Sequence, residues 1–270
     1  MAKDFIVAIE LGSSKLTGIA GRKNPDGSIS ILAVAKEDSA SYIRKGVAYN
    51  IERTAQGLSN IVSKLKNTLK TEIEQVYVGI GGQSIHSVKN SIVKELPLDC
   101  IVSQDMVNEL MDTNRSMEYK DCEILDAITQ EYNVDGHYED DPVGIQARHL
   151  EGNFLNVLWR RSFYRNLNKS LDNSGIKVAE MYLAPLTMAE CVLTDAGKRA
   201  GCVLVDLGAD TTTVSVYYRN KLRHIAVLPL GGSNVTKDLE SLQIDEINAE
   251  AMKLKHASAL TNEKDIDADA

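Results

Sequence analysis

Sulfur ligands, basic excess and long apolar runs are all scarce in this 270-residue sequence. Its four cysteines, Cys100, Cys122, Cys191 and Cys202, show no C-x-x-C spacing and sit in apolar or mixed surroundings. That argues against a disulfide framework or a zinc site and for buried, reduced thiols. The histidines, at 86, 137, 149, 224 and 256, never fall three to five positions apart, so no structural metal is expected. A formal net charge of -8 and a pI near 5.2 argue against broad non-specific contact with nucleic acid or anionic lipid, and no nucleic-acid partner is expected. No stretch approaches the ~18–20 apolar residues of a membrane span. Met1-Ala2-Lys3-Asp4 runs into a strand-like segment without a leader pattern, so a soluble, cytoplasmic chain is expected.

What is present is globular: 43% hydrophobic and 25% charged residues, enough for one large or two medium domains. Phe5 to Ile9 is an apolar run of the kind buried in a sheet. Leu16 to Ala20 follows a Gly12-Ser13-Ser14 turn, and Asn24-Pro25-Asp26-Gly27 turns the chain into a third strand, Ile29 to Val34. Ala55, Leu58, Ile61, Val62, Leu65 and Leu69 recur at helical spacing before the strand Val76 to Ile80. From about Gln83 to Arg161 the texture changes. Strands at Ile124 to Val134 and Ile145 to Trp159, with an amphipathic helix around Met106, Val107, Leu110 and Met111, suggest an inserted α+β subdomain. Trp159-Arg160-Arg161 reads as a core residue with solvated neighbours. A helix ending at Gly175, the strand Lys177 to Tyr182, a helix from Pro185 to Leu193 and a loop at 195–199 return the chain to its main fold.

The opening pattern then recurs. Sliding by 206 - 10 = 196 positions places Asp206-Leu207-Gly208 on Glu10-Leu11-Gly12, each after an apolar strand and before hydroxyl residues and a second strand. The second copy continues into a third strand, His224 to Leu228, then a glycine-rich helix start at Gly231-Gly232-Ser233 and a helix from Asp245 to Ala257. The remainder, 262–270, is polar and reads as disordered. A glycine at such a bend lets backbone N–H groups reach phosphate oxygens, and neighbouring hydroxyls add donors. One hairpin alone is an ordinary turn; two facing across a cleft could clamp the β- and γ-phosphates. Glu10 and Asp206 could then hold Mg²⁺, which prefers oxygen ligands.

Ile9-Glu10-Leu11-Gly12-Ser13-Ser14-Lys15 and Val205-Asp206-Leu207-Gly208-Ala209-Asp210-Thr211 resemble the two phosphate motifs of the actin, heat-shock-chaperone and sugar-kinase superfamily. Within it, Gln130 to Asp135 with Asp141 to Gly144, Leu222 to Gly232, and the helix Ala249 to Lys255 are similar to the FtsA family, and the resemblance runs to about residue 258. It implies an α/β fold, actin-like (ribonuclease H-like) and duplicated, with two lobes and an inserted α+β subdomain. The expected boundaries are 1–82 with 162–183 for the first lobe, 83–161 for the insertion, 184–232 for the second lobe, and 233–270 for a partial fourth subdomain and tail.

The resemblance also implies ATP with Mg²⁺ as cofactors. Gly12, Ser13, Ser14 and Lys15 would contact phosphates from one lobe, and Gly208, Asp210 and Thr211 from the other. Gly231, Gly232 and Ser233 would lie near phosphates and ribose, with Glu250 and Lys253 beside the adenosine; read alone, that last pair is an i,i+3 ion pair of about 0.2–0.5 kcal/mol. Two departures stand out. Ala209-Asp210 replaces consecutive glycines, and Ala184 precedes Pro185 where hydrolytic relatives often carry a glutamate. Slow or negligible turnover is therefore expected, and no catalytic residue is named. Family members form filaments, bind the C-terminal tail of FtsZ and other divisome proteins, and reach the cytoplasmic face of the inner membrane through a C-terminal amphipathic helix. That helix and much of the fourth subdomain find no match here, so a truncated form is expected. An FtsA-like pilus-assembly scaffold and a kinase of the sugar-kinase branch remain alternatives, although no substrate-facing acid stands out between Gly79 and Ile85.

Overall fold

The computed structural model describes residues 5–259. The first sheet begins with β1 (Ile6–Leu11), β2 (Lys15–Lys23) and β3 (Ile29–Asp38). Alternation in β1 sends Val7, Ile9 and Leu11 inward, which fixes the register against β2 as Leu11 opposite Leu16. The turn before β3 forms as its residues dictate: Gly27 has φ 86° and Asp26 accepts the Ser28 N–H.

A short hairpin, β4 (Ile43–Arg44) with β5 (Val47–Ala48), leads to α1 (Ile51–Leu69). Asn50 caps this helix by accepting the Arg53 N–H at 3.0 Å, and its stripe of Leu58, Ile61 and Leu65 is fully buried. Each such side chain gains about 1.5–3 kcal/mol by leaving water. The strand β6 (Val76–Ile80) then pairs with β1 in parallel.

The next segment carries β7 (His86–Glu95), α2 (Gln104–Arg115), β8 (Cys122–Val134), β9 (His137–Glu139) and β10 (His149–Arg160). β10 is the central strand here, flanked by β7 and β8, and Phe154 to Trp159 are buried without interruption. α2 packs Val107 and Leu110 into a separate small core with Leu150 and Phe154. Beside that core, buried Asn114 and Asn156 exchange side-chain hydrogen bonds at 2.7 and 2.9 Å, which satisfies both amides. Trp159 is a core residue, as expected, and donates its Nε1–H to the Gln83 carbonyl.

The chain returns through α3 (Arg161–Ser174), stopped by Gly175 at φ 68°, and β11 (Val178–Leu183), which pairs with β6. Then follow α4 (Ala184–Val192), α5 (Asp195–Ala200), β12 (Cys202–Leu207), β13 (Thr212–Tyr218), β14 (Lys221–Leu228), α6 (Gly232–Glu240) and α7 (Glu246–His256). Two sheets result, β11-β6-β1-β2-β3 and β12-β13-β14-β7-β10-β8-β9, besides the small β4-β5 pair.

Three expectations change. The segment 195–199 is a short helix, because Thr194 accepts the Gly197 N–H and caps it. β7 is an unforeseen strand. The four cysteines are free, as expected, but none is buried: Cys191 faces solvent on α4 and the other three are half-buried, Cys100 in a loop and Cys122 and Cys202 at strand starts. The tail expected to be disordered, 262–270, lies outside the described residues.

The strands β12, β13 and β14 share one sheet with β7, β10, β8 and β9. β14 meets β7 at Ala226 opposite His86, and the Ile225 N–H donates to Ser87 Oγ. Gln130, buried on β8, donates to the Leu222 carbonyl at 3.1 Å and accepts from Arg223 at 3.0 Å. Lys221 reaches Asp140 at 2.7 Å.

Candidate functional site

The two hairpins are copies in geometry as well as sequence. β12 is β1 shifted by 196 positions, and Leu207 faces Thr212 as Leu11 faces Leu16. Each loop keeps four residues between those pairs. A Cβ on Gly12 would lie 2.6 Å from the Lys15 carbonyl oxygen, and one on Gly208 would lie 2.9 Å from that of Thr211. Glycine at both bends is thus demanded by close backbone approach, not by a left-handed φ. The Gly208 N–H donates to the Thr211 carbonyl at 2.8 Å.

The loops converge on one turn that the sequence reading missed. Lys45 and Gly46, between β4 and β5, have φ of 51° and 73°, as a two-residue primed hairpin turn requires. The Gly46 N–H donates to Ser13 Oγ at 2.8 Å and the Lys45 N–H donates to Asp210 Oδ2 at 3.0 Å. The same turn therefore touches both loops. Ser39 adds a brace, its hydroxyl donating to the Gly12 carbonyl at 2.6 Å and its N–H to that of Ser14. Ser14 and Lys15 are exposed, and among the described residues the Ser14 hydroxyl and the Lys15 ammonium make no hydrogen bond or ion pair. The available signal was the pair Lys45-Gly46 between Tyr42-Ile43 and Val47-Ala48, a short hairpin pattern.

The glycine turn before α6 is stitched to the second loop. The N–H groups of Gly232 and Ser233 donate to the carbonyls of Gly208 and Ala209 at 2.9 and 2.7 Å, and that of Gly231 to Asn234 Oδ1. A Cβ on Gly231 would sit 2.5 and 2.4 Å from the Gly208 and Ala209 oxygens, so no side chain fits. These three N–H groups are engaged within the protein, which leaves the Ser233 hydroxyl as that turn's free donor. Lys253 and Glu250 lock α7 against α6: Lys253 Nζ contacts Glu250 at 2.6 Å, Thr236 Oγ1 at 2.9 Å and the Gly232 carbonyl at 3.2 Å. Glu250 also accepts from Thr236 at 2.6 Å. The hydrogen bond from Lys253, then that from Thr236, holds the Glu250 carboxyl below its ordinary value. The pair is thus more than a lone surface contact, since it anchors the helix start that backs the second loop.

Glu10 and Asp206 occupy equivalent positions, opposite Thr17 and Thr213. Among the described residues no group of three or more His, Cys, Asp or Glu converges as a protein-only metal cage. Two carboxylates from two hairpins suit Mg²⁺ instead, which uses one or two carboxylates with phosphate and water oxygens. Hydroxyls, an exposed ammonium and backbone close enough to exclude any Cβ likewise fit a polyphosphate. Ala184 begins α4 and offers only a methyl group, 3.8 Å from where a Cβ on Gly79 would be. A cavity of about 420 Å³ lies elsewhere, among Ile80, Leu125, Tyr164, Met181, Leu183 and Leu186. It includes no hairpin residue.

A family model for the cell division protein FtsA matches residues 203–269, and a model for the SHS2 domain inserted in FtsA matches residues 82–158. The cell division protein FtsA of Porphyromonas gingivalis is 34% identical over 260 residues, 95% of this chain and 54% of that protein. This chain belongs to the FtsA family. The FtsA of Escherichia coli is 27% identical over 96% of the chain, which covers 62% of that relative. The chain thus spans between 54% and 62% of the curated FtsA proteins it matches here. Among solved structures, the PilM-PilN type IV pilus biogenesis complex aligns with a TM-score of 0.62 at 16% identity, over 93% of this chain and 69% of that one. MreB5 of Spiroplasma citri aligns at 0.51 and 10% identity, over 97% and 65%. The FtsA-family chain has the duplicated actin-like α/β fold. Among the described residues no helix is long and apolar enough to cross a membrane.

Proposed function

We propose that this FtsA-family chain carries the ATP- and Mg²⁺-binding cleft of an actin-like scaffold for bacterial cell division. The observation that carries the reading is the convergence of two register-matched hairpin loops on the single Lys45–Gly46 turn. Ser14 and Lys15 approach the phosphates from one side and Thr211 from the other, as charge-assisted or hydroxyl donors. Glu10 and Asp206 hold Mg²⁺ directly or through water, and the ion neutralises phosphate charge when bound. With a methyl group at Ala184, no side chain there orients an attacking water, so turnover is slow. The MreB5 structure that shares the fold was solved with ADP.

Occupancy reaches the inserted segment through β14. That strand follows the second hairpin and is joined to β7 and β8 by Ala226, Ser87 and Gln130. Lobe closure thereby biases self-association into filaments. In the longer FtsA polypeptide, the same scaffold binds the FtsZ tail and other divisome proteins and holds the ring to the cytoplasmic face of the membrane at the division site. Calorimetry of the chain with Mg²⁺ and ATP tests the cleft. Lys15→Ala and Thr211→Ala are each expected to weaken binding about tenfold, the loss of one good contact. Unchanged affinity in both variants would sink the clamp. Light scattering with and without nucleotide tests self-association, and capture by an immobilised FtsZ tail peptide tests the partner in the longer polypeptide.

A further inference from the structure

We propose that the Lys45–Gly46 turn, Gln83 and Trp159 form a hydrogen-bonded relay that carries the state of the hairpin loops into the inserted segment. The inference rests on the nucleotide-binding reading above and deepens it by naming the residues through which a bound nucleotide is felt at a distance.

The relay is continuous. The Gly46 N–H and the Lys45 carbonyl belong to one peptide group: the first donates to Ser13 Oγ at 2.8 Å, and the second accepts the Gln83 N–H at 2.8 Å. The Gln83 carbonyl in turn accepts the Trp159 Nε1–H at 3.1 Å. Bonds at the two ends of one peptide group polarise each other, so strengthening one strengthens the other. Residues 82–158 match the inserted SHS2 domain, so Gln83 lies at its entry and Trp159 just past its exit. The two connections of the insertion are thus pinned together at the turn that touches both hairpin loops. Packing reinforces the bonds. A Cβ on Gly46 would come within 2.4 Å of Gly82 Cα, so the turn cannot shift without pushing the strap from Gly82 to Ile85. Trp159, 2% exposed, shares a gap of only about 10 Å³ with Leu11 and Gly46.

That strap is held in a costly conformation. Ser84 has φ 70°, and its buried Oγ finds no partner among the described residues, a state that its neighbours must impose. The Ile85 carbonyl accepts the Val227 N–H at 3.2 Å, so the strap also meets β14. A ligand that orders residues 12–15 fixes Ser13, and the shared peptide group passes that restraint to Gln83 and Trp159. Coupling is reciprocal: if occupancy of the loops tightens the Trp159 bond, loss of that bond weakens binding at the loops. Its size is bounded by one hydrogen bond, about two- to tenfold in affinity. Trp159 is therefore a positioning residue, and as the single tryptophan of the chain it is also the relay's reporter.

The test is two-dimensional NMR of the isotope-labelled full chain, in which the lone tryptophan gives a single indole N–H signal, alongside calorimetry with Mg²⁺ and ATP. Addition of ATP is expected to shift that signal and slow its exchange with solvent, saturating where calorimetric binding saturates. Trp159→Phe, which keeps an aromatic ring but removes the donor, should weaken ATP binding about two- to tenfold. Gln130→Ala, which cuts links between β8 and β14, should leave the indole response in place. An unmoved indole signal while calorimetry shows ATP bound overturns the inference and leaves the nucleotide site standing. So does unchanged ATP affinity in Trp159→Phe, since a purely structural tryptophan would alter stability alone. Loss of the response in Gln130→Ala also overturns it, because the signal then runs through β14. No ATP binding by the unaltered chain overturns the nucleotide reading and the inference together. The indole signal of the unaltered chain decides the matter even if a variant fails to fold.

Discussion

The two hairpins share strand length, register and loop, yet their apolar faces meet different fates. Val7, Ile9 and Leu11 of β1 are 2%, 1% and 8% exposed, within the main hydrophobic core and on a strand flanked by β2 and β6. Their counterparts on β12, Val203, Val205 and Leu207, are 55%, 50% and 77% exposed, and β12 is an edge strand with β13 on one side. Local sequence thus builds the same hairpin twice, while packing completes the sandwich around the first copy alone. Hairpin geometry depends on nearest neighbours in the ladder; burial depends on elements distant in sequence.

The largest expected effect breaks this comparison directly. Ile9→Ala should cost about 2–5 kcal/mol, whereas Val205→Ala should stay within about 0.5 kcal/mol, both read from urea midpoints. Equal losses would mean that the second face is covered in solution. Next, Gln130→Ala should cost about 1–3 kcal/mol, because the Arg223 guanidinium and the Leu222 carbonyl lose a buried partner. Hydrogen exchange should then quicken in β14 more than in β3; equal change would refute a specific link between the inserted segment and the second hairpin.

A smaller contrast concerns the bends. Alanine at Gly12 or Gly208 crowds a carbonyl oxygen and should cost about 1–3 kcal/mol, partly offset by about 0.4–1 kcal/mol from a stiffer unfolded chain. Gly12→Ala should be the worse of the two, since its contact is 0.3 Å closer (2.9 - 2.6). The least effect is electrostatic. A carboxyl held low in the folded state contributes stability above its ordinary value of 4.5 and loses it as pH falls through the lower folded value. Glu250 is nearly half exposed, so solvent screening limits its share to about 0.5 kcal/mol. Glu250→Gln should remove that acid-side slope from a series of thermal melts below pH 5; an identical slope in both proteins would disprove the assignment.

Much of the fold was legible because its signals are local. Repetition marked both hairpins, Asn24-Pro25-Asp26-Gly27 its turn, and Gly175 its helix stop. β7 escaped notice because His86-Ser87-Val88-Lys89-Asn90-Ser91 carries little apolar alternation; its place is fixed by ladders to β10 and β14. At the site, the sequence repeat drew attention to Ser13 and Asp210, but the turn that joins them, and the links of Gln130 to a strand 92 positions away, are properties of tertiary closure. The Glu250–Lys253 pair illustrates the middle case: its spacing was visible, but its grip on Thr236 and Gly232 was not.

The most direct measurement is amide hydrogen exchange of the full chain with and without Mg²⁺ and ATP. If the hairpins are halves of one clamp, exchange should slow at residues 12–15 and 208–211 together, with the Lys45–Gly46 turn protected in both states. Slowing at one loop only, or at neither, would contradict it.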